Sequence, residues 1–470
     1  MQIRARQHAL TEERHRSTVA LGVVSAAVAI VIALLVARPD SLPTLPILGV
    51  LALSGAAVAL SLHVEVIFLG WLALAPLLQN SADTTAIGHV AVLALYVAPT
   101  LVFVFWTLTG SVRFRSARVV DVLPLMFLLY VLVWLLLSSS PSSTALKGVY
   151  TTVAIGIILY YFLAFGPIGS LSWESVTAVL LALAAVQALM SIVDSLTAWN
   201  LWQDAGWQQG LPRAVATLAN PAVLGTFIGI GIVLALAVLV WGAPAPYLRK
   251  LAIATIVLGL PGIFVTYTRA PILALVVVGL AVLLSRAQTR LIALCSLITA
   301  VVVLTLSWGR ITESPVYRER VTNETNIEGR LLLQDWSLEL AGERPLFGWG
   351  YNSFDRVKNS ASLSSGDIPR SFGDPTSHNT FLTVLVEYGA VGLILMLLPW
   401  LVITWRAVRD ALARSETRWF LVGSIAVVAV YVINASTFDM RFFSFVPAVP
   451  WLLLGLLRRT QLSRSLSRLA

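Results

Sequence analysis

The sequence predicts an all-α integral membrane protein with about fourteen transmembrane helices (12–14) and one large extracytoplasmic loop. Of its 470 residues, 58% are hydrophobic and only 12% are charged, and the mean hydropathy is +0.86. Soluble domains carry about 25% charged residues. The apolar residues form repeated runs long enough to cross the ~30 Å hydrocarbon core as helices. Basic residues cluster in the short segments between these runs, as expected for cytoplasmic loops.

The predicted spans are apolar segments separated by short polar or charged turns. Two of them, Val64–Leu78 and Ala270–Leu284, are short, so one could be re-entrant or both could form a half-spanning hairpin. The segments cover roughly residues 17–37, 45–62, 64–78, 87–109, 119–137, 146–165, 173–196, 218–241, 251–266, 270–284, 291–308, 379–403, 419–434 and 442–457.

The charge distribution predicts that both termini lie in the cytoplasm. In that orientation 19 Lys and Arg residues fall on the cytoplasmic side and 5 in short outer loops, the expected positive-inside bias. The remaining basic residues lie in one long loop, which is exempt from this bias. The predicted regions are a basic tail at 1–16, a bundle of about eleven helices at 17–308, the extracytoplasmic loop at 309–378, three C-terminal spans at 379–457 and a cytoplasmic tail at 458–470.

Several functional classes lack support in the sequence. The formal charge of +9 does not indicate nucleic acid binding, because no basic block interleaves with stacking aromatic residues. Cys295 is the only cysteine, which rules out a disulfide within the chain. There is no P-loop, no Asp-x-Asp pair and no cluster of His, Cys and carboxylate residues at metal-ligand spacing. We therefore expect neither a metal ion nor another cofactor.

The long loop contains a predicted amphipathic helix, followed by a glycine-rich turn around Trp349. The helix could lie on the membrane surface. A loop of this length within a compact membrane protein is more often functional than idle. The apolar stripe consists of Leu332, Leu333, Trp336 and Leu340, and the side chains turned away from it are Asp335 and Glu339.

His378 stands where the long loop enters a predicted span. Thr376 or Ser377 is available as the N-cap, which would place His378 in the first helical turn. The positive end of the helix dipole disfavours the imidazolium form, and a neutral imidazole can accept a proton from a substrate hydroxyl. The alternative is that His378 only caps the helix or bonds to loop backbone.

Arg213 and Arg269 each lie in an outer loop that carries few other charges, just before a predicted span. Guanidinium groups bind phosphate bidentately, so a pair of them beside a helix N-terminus would hold a lipid-linked diphosphate. Alternatively, each arginine simply extends to phospholipid headgroups. Glu387, nine residues after His378, would lie deeper on the same helix and either bond to a neighbouring span or help to orient the site.

Several short motifs follow one another in a specific order over Arg213–Gly392. They are Arg213 with Asn220-Pro221, then Thr268-Arg269-Ala270, Gly329-Arg330 with Trp336, Pro345 with Gly348-Trp349-Gly350-Tyr351-Asn352-Ser353-Phe354, Ser377-His378-Asn379-Thr380-Phe381-Leu382, and Glu387-Tyr388-Gly389-Ala390-Val391-Gly392. This series resembles the O-antigen ligase and O-antigen polymerase superfamily of bacterial membrane glycosyltransferases. The first half of the chain matches only as apolar spans, and the superfamily commonly has around twelve of them.

The resemblance implies an enzyme of the bacterial inner membrane that moves a glycan from an undecaprenyl-diphosphate carrier to an acceptor hydroxyl on the outer face, without metal or nucleotide. His378 would activate or orient the acceptor. Arg213 and Arg269, with Arg330 as a weaker candidate, would bind the diphosphate. Asn220, Asn379 and Glu387 would support the site. The acceptor would be a glycan, a lipid or a protein.

Other functions stay open at the level of sequence. Within the same family, a polymerase would extend one lipid-linked repeat unit with another. A transporter or flippase for lipid-linked saccharides would use the arginines as a substrate path, although charges within the spans are scarce for such a role. A scaffold without catalysis would use the long loop as a docking surface.

Overall fold

The computed structural model describes residues 64–78, 99–104, 106–112, 117–137, 148–168, 171–197, 213–218, 220–313, 325–354, 377–413, 417–443 and 445–467. Within these residues the regular structure is helical and no strand occurs, as the composition predicted. The α-helices are α1 (Val64–Leu78), α2 (Val119–Leu137), α3 (Ile155–Phe165), α4 (Trp173–Thr197), α5 (Pro221–Trp241), α6 (Pro246–Phe264), α7 (Arg269–Leu284), α8 (Arg290–Glu313), α9 (Thr325–Glu343), α10 (Thr380–Leu412), α11 (Arg418–Ala435) and α12 (Phe445–Ser467).

Six of the described helices are long and apolar enough to cross a membrane: α2, α4, α5, α6, α10 and α11. The predicted spans at 17–37 and 45–62 lie outside the described residues, as does most of 87–109. The total of about fourteen spans therefore stays a prediction. The hydropathy pattern located the described helices well, and α1 and α2 begin and end at the predicted residues.

Helix α5 forms the centre of the bundle and is almost completely buried. It packs against α4, α6, α7 and α11. Small residues allow the close approach, since a Cβ atom on Gly231 would lie 2.2 Å from the Cβ atom of Ala184 in α4. Small residues at helix contacts are typical of membrane bundles, where dispersion contacts between closely packed backbones drive association.

Helices α5 and α11 run antiparallel, which defines the two ends of the bundle. Gly423, near the start of α11, lies beside Leu234 and Ala237, whereas Gly229 lies beside Val430 near the end of α11. The beginning of α5 and the end of α11 are therefore at the same end of the bundle. We call this the His378 end, because the loop after α11 bonds to the start of α10, next to His378.

The opposite end of the bundle contains a buried ion pair between Asp121 of α2 and Arg458 of α12. The guanidinium donates to both carboxylate oxygens, at 2.6 and 2.5 Å, and the Tyr160 hydroxyl donates a third bond of 2.6 Å. Arg458 is only 1% exposed. The residues of the predicted cytoplasmic tail at 458–470 begin within α12, which continues to Ser467.

The predicted amphipathic helix is present as α9, but its apolar stripe packs on protein. Trp336 is 1% exposed and forms a small separate core with Phe354 and with Val386 of α10. The first turns of α10 and the loop after α9 cover this stripe, and the location of the helix on the membrane surface stays a prediction. Asp335 is exposed on the opposite side, as predicted.

Helix α10 is broken at Gly389, whose backbone has φ +64° and ψ −172°. The loop after α9 pairs with the break. The amides of Trp349 and Gly350 donate to the carbonyls of Val386 and Glu387, at 2.9 and 2.7 Å, and the amides that follow Gly389 donate back to the loop. The polar backbone groups freed by the break are thus satisfied by protein, as irregular backbone at membrane depth requires.

Candidate functional site

The start of α10 is capped by Asn379, and this corrects the predicted cap. The side-chain Oδ1 of Asn379 accepts bonds from the amides of Phe381 and Leu382, at 3.0 and 3.2 Å. The Ser377 hydroxyl instead accepts a bond from the Asn379 amide and donates to its carbonyl. His378 therefore precedes the cap rather than lying in the first turn, because asparagine is a strong capping residue one position later.

His378 adopts a left-handed backbone conformation, with φ +54°. Its imidazole is partly exposed, and the ring centre lies 6.0 Å from that of Phe438 in the loop after α11. The next helical residue, Thr380, binds this same loop through its hydroxyl, which contacts the Phe438 carbonyl and the Met440 amide at 3.2 and 3.0 Å. The loop after α11 thus holds the segment that carries His378.

A buried ion cluster lies directly behind this segment. The Arg441 guanidinium donates to Glu387 of α10 at 2.7 Å and to Asp439 at 2.9 Å. Glu387 is 1% exposed and Asp439 is 2% exposed. Burial disfavours the charge of Arg441, but the attraction of the adjacent Asp439 and Glu387 carboxylates outweighs this and raises the pKa of Arg441 well above its usual value. The Arg441 guanidinium therefore stays protonated within the cluster.

A small cavity adjoins Arg441 inside the bundle, and seven of its fifteen lining residues are aromatic. Its volume of about 50 Å³ has room for roughly three water molecules. The Oη atom of Tyr388 and the Nε1 atom of Trp400, both buried, bond to no described residue. Burial also raises the pKa of the neighbouring Tyr351 hydroxyl, which keeps it protonated. The cavity therefore offers several hydrogen-bond donors next to the charged cluster.

The predicted arginine loops lie together. Arg213 extends onto the loop before α7, where its Nε donates to the Thr266 carbonyl at 3.2 Å and its Nη2 donates to the Thr268 hydroxyl at 2.8 Å. Thr268 directly precedes Arg269, which begins α7 and is exposed. Asn220 caps α5, accepting a bond from the Ala222 amide at 2.8 Å. Both arginines thus belong to one pair of touching loops.

Packing contacts place these arginine loops at the His378 end. Gly225 lies one turn into α5. A Cβ atom added to it would lie within 3.2 Å of both Pro271 and the Thr266 hydroxyl, so α5 packs closely on the loop before α7. The ring of Phe227 lies 5.5 Å from that of Phe445, which begins α12 just after the Arg441 loop. The N-termini of α5, α7, α10 and α12 therefore meet at the same end as His378.

Four described residues other than glycine have positive φ angles, and all lie in loops at this end or in the loop that docks on α10. They are Ala216, Tyr267, Asn352 and His378, with φ between 45° and 54°. Such conformations cost about 1–3 kcal/mol each and cluster at functional sites, where the surrounding structure enforces them. Their distribution supports a site formed by these loops.

Arg330 is less directly connected to the site. It is exposed on α9, a helix that packs against the first turns of α10 through Trp336. It therefore lies on the same side of the bundle as the start of α10, but no described contact joins it to Arg213 or Arg269.

Sequence reasoning overlooked the loop Asp439–Arg441, which it treated only as one of several short outer loops. The signal was present, since an acid and an arginine two residues apart interrupt two apolar spans. Within the described residues, no three His, Cys, Asp or Glu side chains come together as metal ligands would.

Comparison with known proteins identifies the domain that contains most of these residues. Residues 254–397 match the family model for O-antigen ligase. This range includes Arg269, Arg330, His378 and Glu387 but not Arg213 or the Arg441 loop. A search of curated proteins found no match. The resemblance inferred from the motifs is confirmed over this range, and the chain carries a domain of the O-antigen ligase superfamily.

Proposed function

We propose that the protein transfers a glycan from an undecaprenyl-diphosphate-linked donor to an acceptor hydroxyl at the outer face of the bacterial inner membrane. The O-antigen ligase domain supports the general class of ligase or polymerase. The observation that carries the specific proposal is that the His378 loop lies at the same end of the bundle as the two touching loops that carry Arg213 and Arg269.

In the proposed reaction, the acceptor hydroxyl transfers its proton to the imidazole of His378 while its oxygen attacks the anomeric carbon of the donor. The bond between that carbon and the diphosphate oxygen breaks, and direct displacement inverts the configuration. Arg213 and Arg269 stabilise the negative charge that develops on the departing undecaprenyl diphosphate. Because the leaving group is already a diphosphate, this reaction requires no metal.

The supporting residues then have distinct tasks. Asn379 caps α10, and Glu387, through Arg441, joins α10 to the loop that contacts His378. Asn220 fixes the start of α5 beside the arginine loops. Arg330 on α9 is a weaker candidate for binding the diphosphate.

The test uses the full chain reconstituted in vesicles with an undecaprenyl-diphosphate-linked glycan and a candidate acceptor. We expect His378→Ala to abolish turnover and Arg269→Ala to weaken donor binding, with both variants folded and inserted as judged by thermal unfolding. Arg249→Ala is the matched control, because this exposed arginine lies in the first turn of α6, at the opposite end of the bundle. Normal transfer by either site variant would exclude the proposed site.

The product of the same assay separates the ligase from its nearest alternative. A glycan attached to a new lipid, protein or glycan acceptor indicates a ligase, whereas a lengthened lipid-linked glycan indicates a polymerase of repeat units. Movement of an unchanged lipid-linked saccharide between leaflets, without any new glycosidic bond, would indicate a transporter or flippase and would contradict the proposal.

A further inference from the structure

A second feature starts at the end of the bundle opposite His378 and continues along the side of the bundle. An apolar groove of about 580 Å³ runs between α7, the last turns of α10 and α11, and it opens at the side of the bundle. Along α11 it extends from Arg418 to Ile433, which corresponds to about 22 Å of helix. This length matches one extended acyl chain and exceeds half of the ~30 Å hydrocarbon thickness.

At one end of the groove Arg418 lies over the indole ring of Trp241, and Arg286, which does not line the groove, contacts the same ring. The guanidinium carbon of Arg418 lies 4.8 Å from the ring centre of Trp241, and that of Arg286 lies 5.8 Å from it. The indole Nε1 of Trp241 donates to the Ser285 hydroxyl at 3.2 Å, which fixes the ring. Cation–π contacts of this kind hold guanidinium groups in place without neutralising them.

Neither Arg286 nor Arg418 forms an ion pair with any carboxylate in the described ranges. Arg286 donates to the Val240 carbonyl, whereas the buried Nε of Arg418 makes no hydrogen bond to a described residue. Arg418 also begins α11, so the positive end of the helix dipole adds to its charge.

We propose that this groove binds an anionic glycerophospholipid, with its phosphate at Arg418 and Arg286 and one acyl chain along α11. Trp and Arg residues are typical of the interface where headgroups lie. The lining of the groove below them is apolar side chains of spanning helices, which fits a lipid tail rather than a peptide. Because the basic end is opposite to His378, the site is separate from the one proposed for the donor diphosphate.

The proposal is tested by native mass spectrometry of the full chain with phosphatidylglycerol or phosphatidylcholine carrying identical acyl chains. We expect wild-type protein to retain phosphatidylglycerol about tenfold more strongly than phosphatidylcholine. Arg418→Gln should remove this preference. Arg409→Gln is the matched control, since Arg409 is an exposed arginine in the last turns of α10 that does not line the groove.

A second variant tests the groove independently of the charge. Ala281 lines the groove and is exposed, so Ala281→Phe should obstruct the acyl chain and weaken retention of both lipids while leaving both arginines in place. Leu273→Phe, on an exposed part of α7 outside the groove, should have no effect. Equal retention of both lipids by wild-type protein, or equal losses with Arg418→Gln and Arg409→Gln, would overturn the proposal. Displacement of phosphatidylglycerol by undecaprenyl phosphate at this site would also overturn it.

Discussion

The Arg441 guanidinium donates a 2.7 Å hydrogen bond to Glu387, although 54 residues separate them in the sequence. Asp439 binds the same guanidinium through both of its carboxylate oxygens. The cluster therefore links the first half of α10 to the loop that contacts His378. Two carboxylates share one arginine, so the three side chains depend on each other for their charge balance.

Loss of the arginine should destabilise the protein more than loss of the Glu387 charge. Arg441→Gln leaves two buried carboxylates without their cation, and we expect a loss of about 3–5 kcal/mol. Glu387→Gln keeps an amide oxygen that can accept the bond and leaves Arg441 paired with Asp439, so we expect about 1–2 kcal/mol.

Unfolding in detergent, followed by circular dichroism, measures both changes. The double variant should be less destabilised than the sum of the two single variants, because the residues are in direct contact. Equal losses in the two single variants would contradict the proposed role of Arg441 as the shared partner.

The break in α10 should require glycine at position 389. A Cβ atom there would lie 2.2 Å from the Leu346 carbonyl oxygen, and the residue has a positive φ. Gly389→Ala should displace the loop that docks on the break and accelerate hydrogen exchange at the Trp349 and Gly350 amides. The measurement is exchange followed by mass spectrometry of peptides that cover this loop.

Gly342→Ala provides the control for this change. Gly342 lies near the end of α9, its added Cβ would meet nothing within 4 Å, and alanine favours a helix by about 1 kcal/mol. Its exchange pattern in the docked loop should equal that of the wild type. Slow exchange of the loop in Gly389→Ala would show that alanine fits the break.

The contact between Arg213 and Thr268 should contribute to donor binding. Thr268→Val removes the hydroxyl that accepts the 2.8 Å bond from Arg213 while the Thr266 carbonyl remains. A hydrogen bond to a charged group is worth about 1.5–3 kcal/mol, so we expect kcat/KM for the donor to fall about tenfold, with a higher KM and a lower kcat. Thr312→Val, at a half-buried position in α8 with no contact to the arginine loops in the described residues, should leave both constants unchanged. An unchanged KM in Thr268→Val would indicate that Arg213 needs no support from the α7 loop.

The Asp121–Arg458 pair should contribute to the stability of the fold but not to the rate of glycan transfer. Asp121→Asn leaves Arg458 buried without its counter-ion, and we expect a loss of about 3–5 kcal/mol in detergent unfolding. Glycan transfer per folded molecule should stay at the wild-type level, because the pair is at the end of the bundle opposite His378. A specific loss of turnover in folded protein would show that the two ends are coupled.

Some features of the site were predictable because they depend on neighbours in the sequence. Asn220 and Asn379 each stand directly before an apolar run, and both act as helix caps. Sequence reasoning chose the wrong cap for α10, since Thr376, Ser377 and Asn379 are all suitable residues within four positions. Only the actual start of the helix decides which amides need an acceptor.

The sequence by itself determined the helical class, the positions of the described helices and the family of the domain at 254–397, because hydropathy, charge bias and ordered motifs are local properties of the chain. Tertiary structure alone decided which distant groups meet. Trp336 could have faced lipid or protein, and Glu387 could have bonded to any neighbouring span. The packing of α9 on α10 and the position of Arg441 settled both, since a buried apolar stripe and a buried carboxylate acquire their partners only when the helices assemble.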